Sequence, residues 1–249
     1  MCEPKASVII CLMAFSTSAV ALRAQEAIVP LQPVLESTPD LSPGLFALYA
    51  WYDSVLTVQV ELQDDKRALY DPLYYTWGET YLGPCDILGL GCSWYCGGGP
   101  DSVWASSTLE PTKGHSYGPQ HAHDLDHCTA WCEGVDGAGI GESLTYHFAK
   151  DSPRLHTIKI SNGLVTNEAS WRANNRVKRL GVSENGVPRA ELNLVDTMGD
   201  QHFKLPWLLG KRTDGEPMIL TFTILEVYRG DRYNDTVITE IWFDGIDVH

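Results

Sequence analysis

Residues Tyr117-Gly118-Pro119-Gln120-His121-Ala122-His123-Asp124-Leu125-Asp126-His127-Cys128-Thr129-Ala130-Trp131 concentrate more potential chemistry than any other stretch of the chain. Asp124 and Asp126 stand two positions apart, the Thr129 hydroxyl follows, and Gly118-Pro119 bends the approach. An oxygen-rich loop of this kind suits a hard cation such as calcium, which takes roughly six to eight oxygen ligands at flexible geometry. Glu240, on the last predicted strand, adds a carboxylate if that strand returns beside the loop. The alternative is an ion-free turn in which Asp124 and Asp126 accept backbone N–H groups. A second chemistry is possible in the same loop. His121, His123, Asp126 and His127 approach the His-x-His-x-Asp-His spacing with which two-metal hydrolases activate water, but one extra residue precedes Asp126-His127. A secreted metal-dependent hydrolase is therefore the competing function.

Trp171, Asn174 and Arg176 form another cluster, with Asn175 and Lys178 beside them. An aromatic face with planar hydrogen-bonding groups is what a sugar needs, because pyranose C–H faces stack on rings while hydroxyls take directional bonds. The same residues could instead pack a strand edge. No Gly-x-Ser-x-Gly elbow, Walker loop or His-Glu-x-x-His is present. Gly137-Ala138-Gly139-Ile140-Gly141 leads into the alternating run Glu142 to Phe148, a strand, so it reads as a tight turn and not as a phosphate loop. Paired carboxylates for glycoside hydrolysis stay open, because their separation is invisible in sequence. Cys85, Cys92 and Cys96 form one group and Cys128 and Cys132 a second. Two bridges plus one free thiol is the simplest pairing in an oxidising compartment, with links between the groups tying the chain's halves together. Zinc is the alternative, but the spacings are not the tight knuckles of structural zinc.

These residues must be carried by a frame, and the sequence divides it in four. Residues 1–24 read as a secretory signal, with Lys5 before an apolar run from Ser7 to Leu22 that is short for a membrane span. A secreted, periplasmic or cell-surface protein follows from that, with no integral membrane span in the mature chain. Residues 25–44 form a Pro-rich linker through Pro30, Pro33, Pro39 and Pro43. Residues 45–101 form an aromatic, Cys-containing extension, read as small and β-rich, with a strand from Val55 to Leu62. In residues 102–249, Leu144, Tyr146 and Phe148 alternate with polar neighbours. Ile158 and Ile160 precede Asn162-Gly163, and Val177 to Val182 runs into Asn185-Gly186. Leu192, Phe203, Met218 to Tyr228 and Val237 to Phe243 complete seven or eight strands without a convincing amphipathic helix. The fold expected is all-β, an antiparallel jelly-roll β-sandwich. The 249 residues carry 32 acidic against 18 basic side chains, a net charge of −14. Loss of Glu3, Lys5 and Arg23 with the signal makes the mature chain more acidic still. Nucleic acid and anionic membrane surfaces are disfavoured as partners.

Several stretches resemble one family in the right order: Trp104-Ala105-Ser106-Ser107-Thr108-Leu109, the Tyr117 to Trp131 loop, Glu133-Gly134-Val135-Asp136-Gly137, Trp171 with Asn174 and Arg176-Val177-Lys178, and Val227-Tyr228 with Gly230, Tyr233, Asp235-Thr236 and Glu240-Ile241. The similarity, over about residues 103–245, is to the NADase-type glycan-binding domain, the discoidin-like F5/8 type C module of NAD glycohydrolase translocation. It implies a galactose-binding-like jelly roll that recognises glycans and performs no chemistry. It also implies that Asp124, Asp126, Thr129 and Glu240 match the calcium positions of calcium-binding relatives, with Leu125 standing where glycine is usual. Discoidin-like folds also dock proteins, so a protein-interaction module is a third reading.

Overall fold

The computed structural model describes residues 27–58, 62–77, 83–89, 91–112, 114–211 and 215–248. The signal expected at residues 1–24 lies outside them. The strands are β1 (Val29–Leu31), β2 (Val34–Leu35), β3 (Ser102–Ala105), β4 (Trp131–Cys132), β5 (Ser143–Phe148), β6 (Leu155–Asn162), β7 (Asn175–Glu184), β8 (Val187–Asn193), β9 (Gln201–Leu209), β10 (Met218–Tyr228) and β11 (Thr236–Gly245). Among the described residues the α-helices are α1 (Pro43–Val58), α2 (Asp64–Trp77) and α3 (Glu168–Ala173).

Period-two alternation sets the strands as expected. In β5, Leu144, Tyr146 and Phe148 are buried while Ser143, Thr145 and His147 are half-exposed. Antiparallel pairing runs β9-β6-β11 on one side and β8-β7-β10-β5-β3 on the other. The two halves join through a two-residue parallel pairing, Thr236 with Asn175 and Val237 with Arg176. They face each other across one core. Phe243 of β11 meets Phe148, Tyr146 and Phe222 at ring distances of 5.2, 5.4 and 6.3 Å. This is a β-sandwich. Of the two Asn-Gly pairs, only Asn185-Gly186 makes the hairpin expected, with φ of 48° and 79°. Asn162-Gly163 does not. The buried Asn162 side chain bonds both backbone groups of Val177, and the chain passes into α3 before β7.

The N-terminal part differs from its sequence reading. Residues 43–58 and 64–77 are helices, and the strand expected from Val55 falls within α1 as far as Val58, residues 59–61 lying outside the described residues. The aromatic positions follow helical and not strand spacing: Tyr49 stacks on Trp77 at 4.0 Å and Tyr52 is buried between Tyr70 and Trp77. Ser42 caps α1 before Pro43, and Asp64 and Asp65 complement the N-terminal dipole of α2. The Pro-rich stretch is not a free tether. Val29–Leu31 pairs parallel with β8 and Val34–Leu35 antiparallel with β9, where edge positions tolerate Pro30.

One imidazole belongs to the core. His123 lies within 5.7 Å of the Tyr95, Tyr146 and Phe243 rings, and its Nδ1 is 2.8 Å from the Ile241 carbonyl, which fixes Nδ1 as the donor. Burial lowers its pKa, only partly offset by that bond and by Asp124. The unfolded chain therefore binds more protons below about pH 6.5, and stability drops as pH falls through that range, by at most about 1.4 kcal/mol per pH unit. Chemical denaturation between pH 7.5 and 5.5 is expected to show this slope in the wild type and a shallower one in His123→Phe. Identical slopes would remove His123 from the core's acid sensitivity.

Candidate functional site

The Tyr117–Trp131 loop is fastened at several points. A disulfide joins Cys85 to Cys128, His127 N–H donates to the Cys85 carbonyl at 2.8 Å, and Ile87 N–H donates to the Leu125 carbonyl at 3.1 Å. The bridge links the two cysteine groups, as one of the sequence pairings had it. Leu125 adopts φ +62°, the left-handed conformation that glycine takes most easily. That strain aims the Leu125 and Asp126 N–H groups at one target. Both donate to Glu240 Oε1, at 2.8 and 3.3 Å.

Glu240 is fully buried on β11, whose residues 236–243 are all buried. Its Oε2 receives no N–H or O–H donor and faces the Asp124 carboxyl. Burial, then the adjacent Asp124, pushes the Glu240 pKa up to about 10. Asp124 is raised by its own burial, but bonds with Glu240, His121 and Thr129 outweigh this and hold it below the usual carboxylate value. Thr129 Oγ1 donates to Asp124 at 2.8 Å. Asp124, Thr129 and Glu240 therefore converge. The Asp126 carboxylate does not join them: its Oδ1 accepts Cys128 N–H at 2.7 Å, the Asx turn, while its carbonyl oxygen lies 3.5 Å from Thr129 Oγ1.

The histidines do not assemble a two-metal centre. His121 bridges Ser116 and Asp124, His123 is inside the aromatic core, and His127 is buried against Trp242 with Asp200 at 3.4 Å. Among the described residues the one cluster of metal-binding side chains is Cys85, Asp126 and Cys128, whose sulfurs are bonded to each other. The three imidazoles thus lie in three environments. The Gly137–Gly141 segment is a turn. Gly139 (φ +62°) packs on Glu133, where a Cβ would lie 2.5 Å from the buried side chain, and Glu133 accepts N–H groups from Thr236 and Val135.

Trp171 and Arg176 are interior. Each is 6% exposed; the Trp171 indole donates to the Asn162 carbonyl at 2.9 Å, and the Arg176 guanidinium lies 4.5 Å over the ring while pairing with Asp196 at 3.0 Å. Gly163 (φ +88°) makes room for both, because a Cβ there would lie within 2.8 Å of either side chain. The structural reading describes these two residues, which pack α3 and β7 together in the interior and not at a strand edge, and a sugar-stacking role does not fit their burial. Asn174 alone of the three opens onto a pocket.

That pocket, about 540 Å³, is lined by Tyr117, Asn174, Arg232, Tyr233 and Asp235 over a floor that includes Cys132. The Arg232 guanidinium lies 4.9 Å over the Tyr233 ring, and Tyr117 Oη meets Thr112 Oγ1 at 3.0 Å. Backbone bonds from Arg232 and Tyr233 to the Ala173 carbonyl dock this loop on the end of α3. Burial, with Asp235 and Glu133 nearby, raises the Cys132 thiol pKa and keeps it neutral. Sequence reasoning did not collect these groups, because they come from three segments distant in the chain. Tyr117, Asn174, Tyr233 and Asp235 did lie at family-like positions, and Asn174 was a candidate by its chemistry.

No curated protein matches the chain. Solved structures similar to it include the CBM32-1 and CBM32-2 domains of Clostridium perfringens ZmpB, at 10% identity and a TM-score of 0.44 over 72% of this chain and 39% of that one. The same domains in complex with GalNAc match at 12% identity and a TM-score of 0.43, over 84% and 51%. A Ruminococcus gnavus GH29 fucosidase matches at 14% identity and a TM-score of 0.39, over 59% and 25%. The chain thus spans about half or less of the chains it resembles. Residues 94–244, more than half of the chain, match the model of the NAD glycohydrolase translocation F5/8 type C domain, and the chain belongs to that family.

Proposed function

We propose that this chain is an exported, non-catalytic carbohydrate-binding module, which takes a saccharide in the pocket between Tyr117 and Tyr233. One observation carries the reading: an open pocket of about 540 Å³ that combines two phenol rings with an amide, a guanidinium and a carboxylate. The rings offer faces for sugar C–H groups, and Asn174, Arg232 and Asp235 offer the donors and acceptors that hydroxyls require. The net charge of −14 favours neutral over acidic glycans. Family membership supports a binding role. So does the dispersal of the loop histidines, His121, His123 and His127, into three separate environments.

A calcium ion is part of this proposal. Asp124, Glu240 and Thr129, with the Asp126 carbonyl, would hold it. The buried Glu240 carboxyl set against Asp124, its Oε2 receiving no N–H or O–H donor, is the observation that fits a cation, because a buried carboxylate pair needs either a proton or a positive charge between its oxygens. The ion would supply positive charge and lock the loop; it performs no reaction.

On a glycan array, the folded, oxidised chain is expected to bind neutral saccharides, with competition by the free sugar. Tyr233→Ala is expected to weaken binding about tenfold, the loss of roughly 1.4 kcal/mol of ring contact. Binding that free sugars do not compete would point to a protein partner instead, and an array without hits would sink the reading. For the cation, calcium at a hundredfold excess over its Kd should stabilise the fold by about 2.7 kcal/mol, roughly 5–10 °C in Tm for a domain of this size. Glu240→Gln should lose that response. A Tm equal in calcium and in chelator would refute the ion.

A further inference from the structure

Five cysteines lie among the described residues, and the structure accounts for three directly. Cys85 and Cys128 are bonded to each other, and Cys132 is buried on the pocket floor. The remaining two, Cys92 and Cys96, are both exposed, and their side chains lie close together on the two flanks of one tight turn. Their contact is set by a built turn and not by chance mobility. Ser93 Oγ accepts the Tyr95 N–H at 3.2 Å, and Cys96 N–H donates to the Ser93 carbonyl at 3.0 Å, which folds residues 94–96 into a single 3₁₀ turn between the two sulfurs.

That turn is anchored on the sandwich. Trp94 is 3% exposed and packs near Phe148 and Phe243, at ring distances of 6.5 and 6.4 Å. Gly98 and Gly245 pass so close to the indole that a Cβ on either would lie 2.4 or 2.8 Å from it. Tyr95 Oη accepts Phe243 N–H of β11 at 3.0 Å. With Trp94 and Tyr95 held on the sandwich, the turn that carries Cys92 and Cys96 on its flanks is fixed in place.

We propose that Cys92 and Cys96 are a second, surface dithiol–disulfide site, closed by exchange with a low-molecular-weight disulfide, which clamps the Trp94–Tyr95 turn against β11. One cysteine thiolate attacks a sulfur of glutathione disulfide and expels a glutathione thiolate, giving a mixed disulfide. The other attacks the protein sulfur of that adduct and expels the second glutathione. The protein dithiol gives up two electrons and two protons, and one glutathione disulfide becomes two glutathione thiols. A metal held between the same sulfurs lacks the rest of its ligands, since among the described residues no third His, Cys, Asp or Glu joins the pair. The assignment also resolves the odd count: two bridges, with Cys132 as the buried thiol left over.

The test uses the folded full chain, treated with glutathione disulfide, alkylated under native conditions, digested and mapped by mass spectrometry. The expected result is a peptide in which Cys92 is bonded to Cys96, loss of both from the alkylated pool, and Cys132 alkylated only after denaturation. In Cys96→Ser, Cys92 is expected to stop at the glutathione adduct. Two results would overturn the proposal: Cys92 and Cys96 still alkylated after oxidant, or either of them bonded to Cys85, Cys128 or Cys132. Glycan binding does not enter the readout, so the site stands or falls independently of the saccharide pocket.

Discussion

A carboxylate in the middle of a strand buried on both faces has to be answered by something, and Glu240 is answered by the loop 117–131. One of its oxygens takes the Leu125 and Asp126 N–H groups, and the other faces Asp124. Leaving a buried carboxyl without partners costs about 1–3 kcal/mol, so the loop's position is dictated by β11 and not by solvent. The positive φ of Leu125 is the local cost of that arrangement, on the order of 1 kcal/mol for a non-glycine residue in the left-handed region. The loop then drives His123 into the aromatic core, where it reaches the carbonyl of Ile241, the residue next to Glu240. One strand thus holds the loop twice.

The pocket depends on a different set of buried polar contacts. Gly163 lets Trp171 and Arg176 stack beneath it, and Arg176 ties the carbonyls of Arg172, Asn174 and Arg229 to one guanidinium. Asn175, adjacent, accepts Gly230 N–H and donates to the Asn234 carbonyl. These bonds place the end of α3 against residues 229–234, and Asn174, Arg232 and Tyr233 stand where those two segments meet. Trp171 and Arg176 therefore serve the pocket from behind. Their types suggested a ligand surface, yet their burial makes them the support on which that surface rests.

How much of this was legible in the sequence depends on whether the signal was local. The alternation of Leu144, Tyr146 and Phe148 and the Asn185-Gly186 turn are local, and β5 and the β7–β8 hairpin follow them. Glu240 beside Asp124 required only that the last strand return next to the loop, which the family-like order of motifs also implied. The helices at 43–58 and 64–77 were hidden because aromatic residues favour strands by type, while their spacing at Tyr49, Tyr52, Tyr70, Tyr74 and Trp77 is helical. Asn162-Gly163 looked like a hairpin because the pair's chemistry is the same whether the next strand returns at once or after a helix. The resemblance counts the Asp126 carboxylate among the calcium positions, but its Oδ1 takes the backbone N–H two residues on, the turn that the loop's composition equally allows.

Residues 83–89 connect these parts, and in the sequence the cysteine grouping alone points to it. Cys85 bonds to Cys128, its carbonyl accepts His127 N–H, and Ile87 N–H reaches Leu125. All three contacts fall on the stretch between Leu125 and Cys128, next to the carboxyl pair. In the chain-entropy view a bridge spanning 43 residues stabilises by about 4 kcal/mol, because it restricts the unfolded chain. Its placement does more than that. It fixes the residues that bring Leu125 and Asp126 N–H to Glu240, so the segment preceding the sandwich is built into the site. A fragment starting at β3 would retain Asp124, Thr129 and Glu240 but lose the brace that holds the strained Leu125 turn over them.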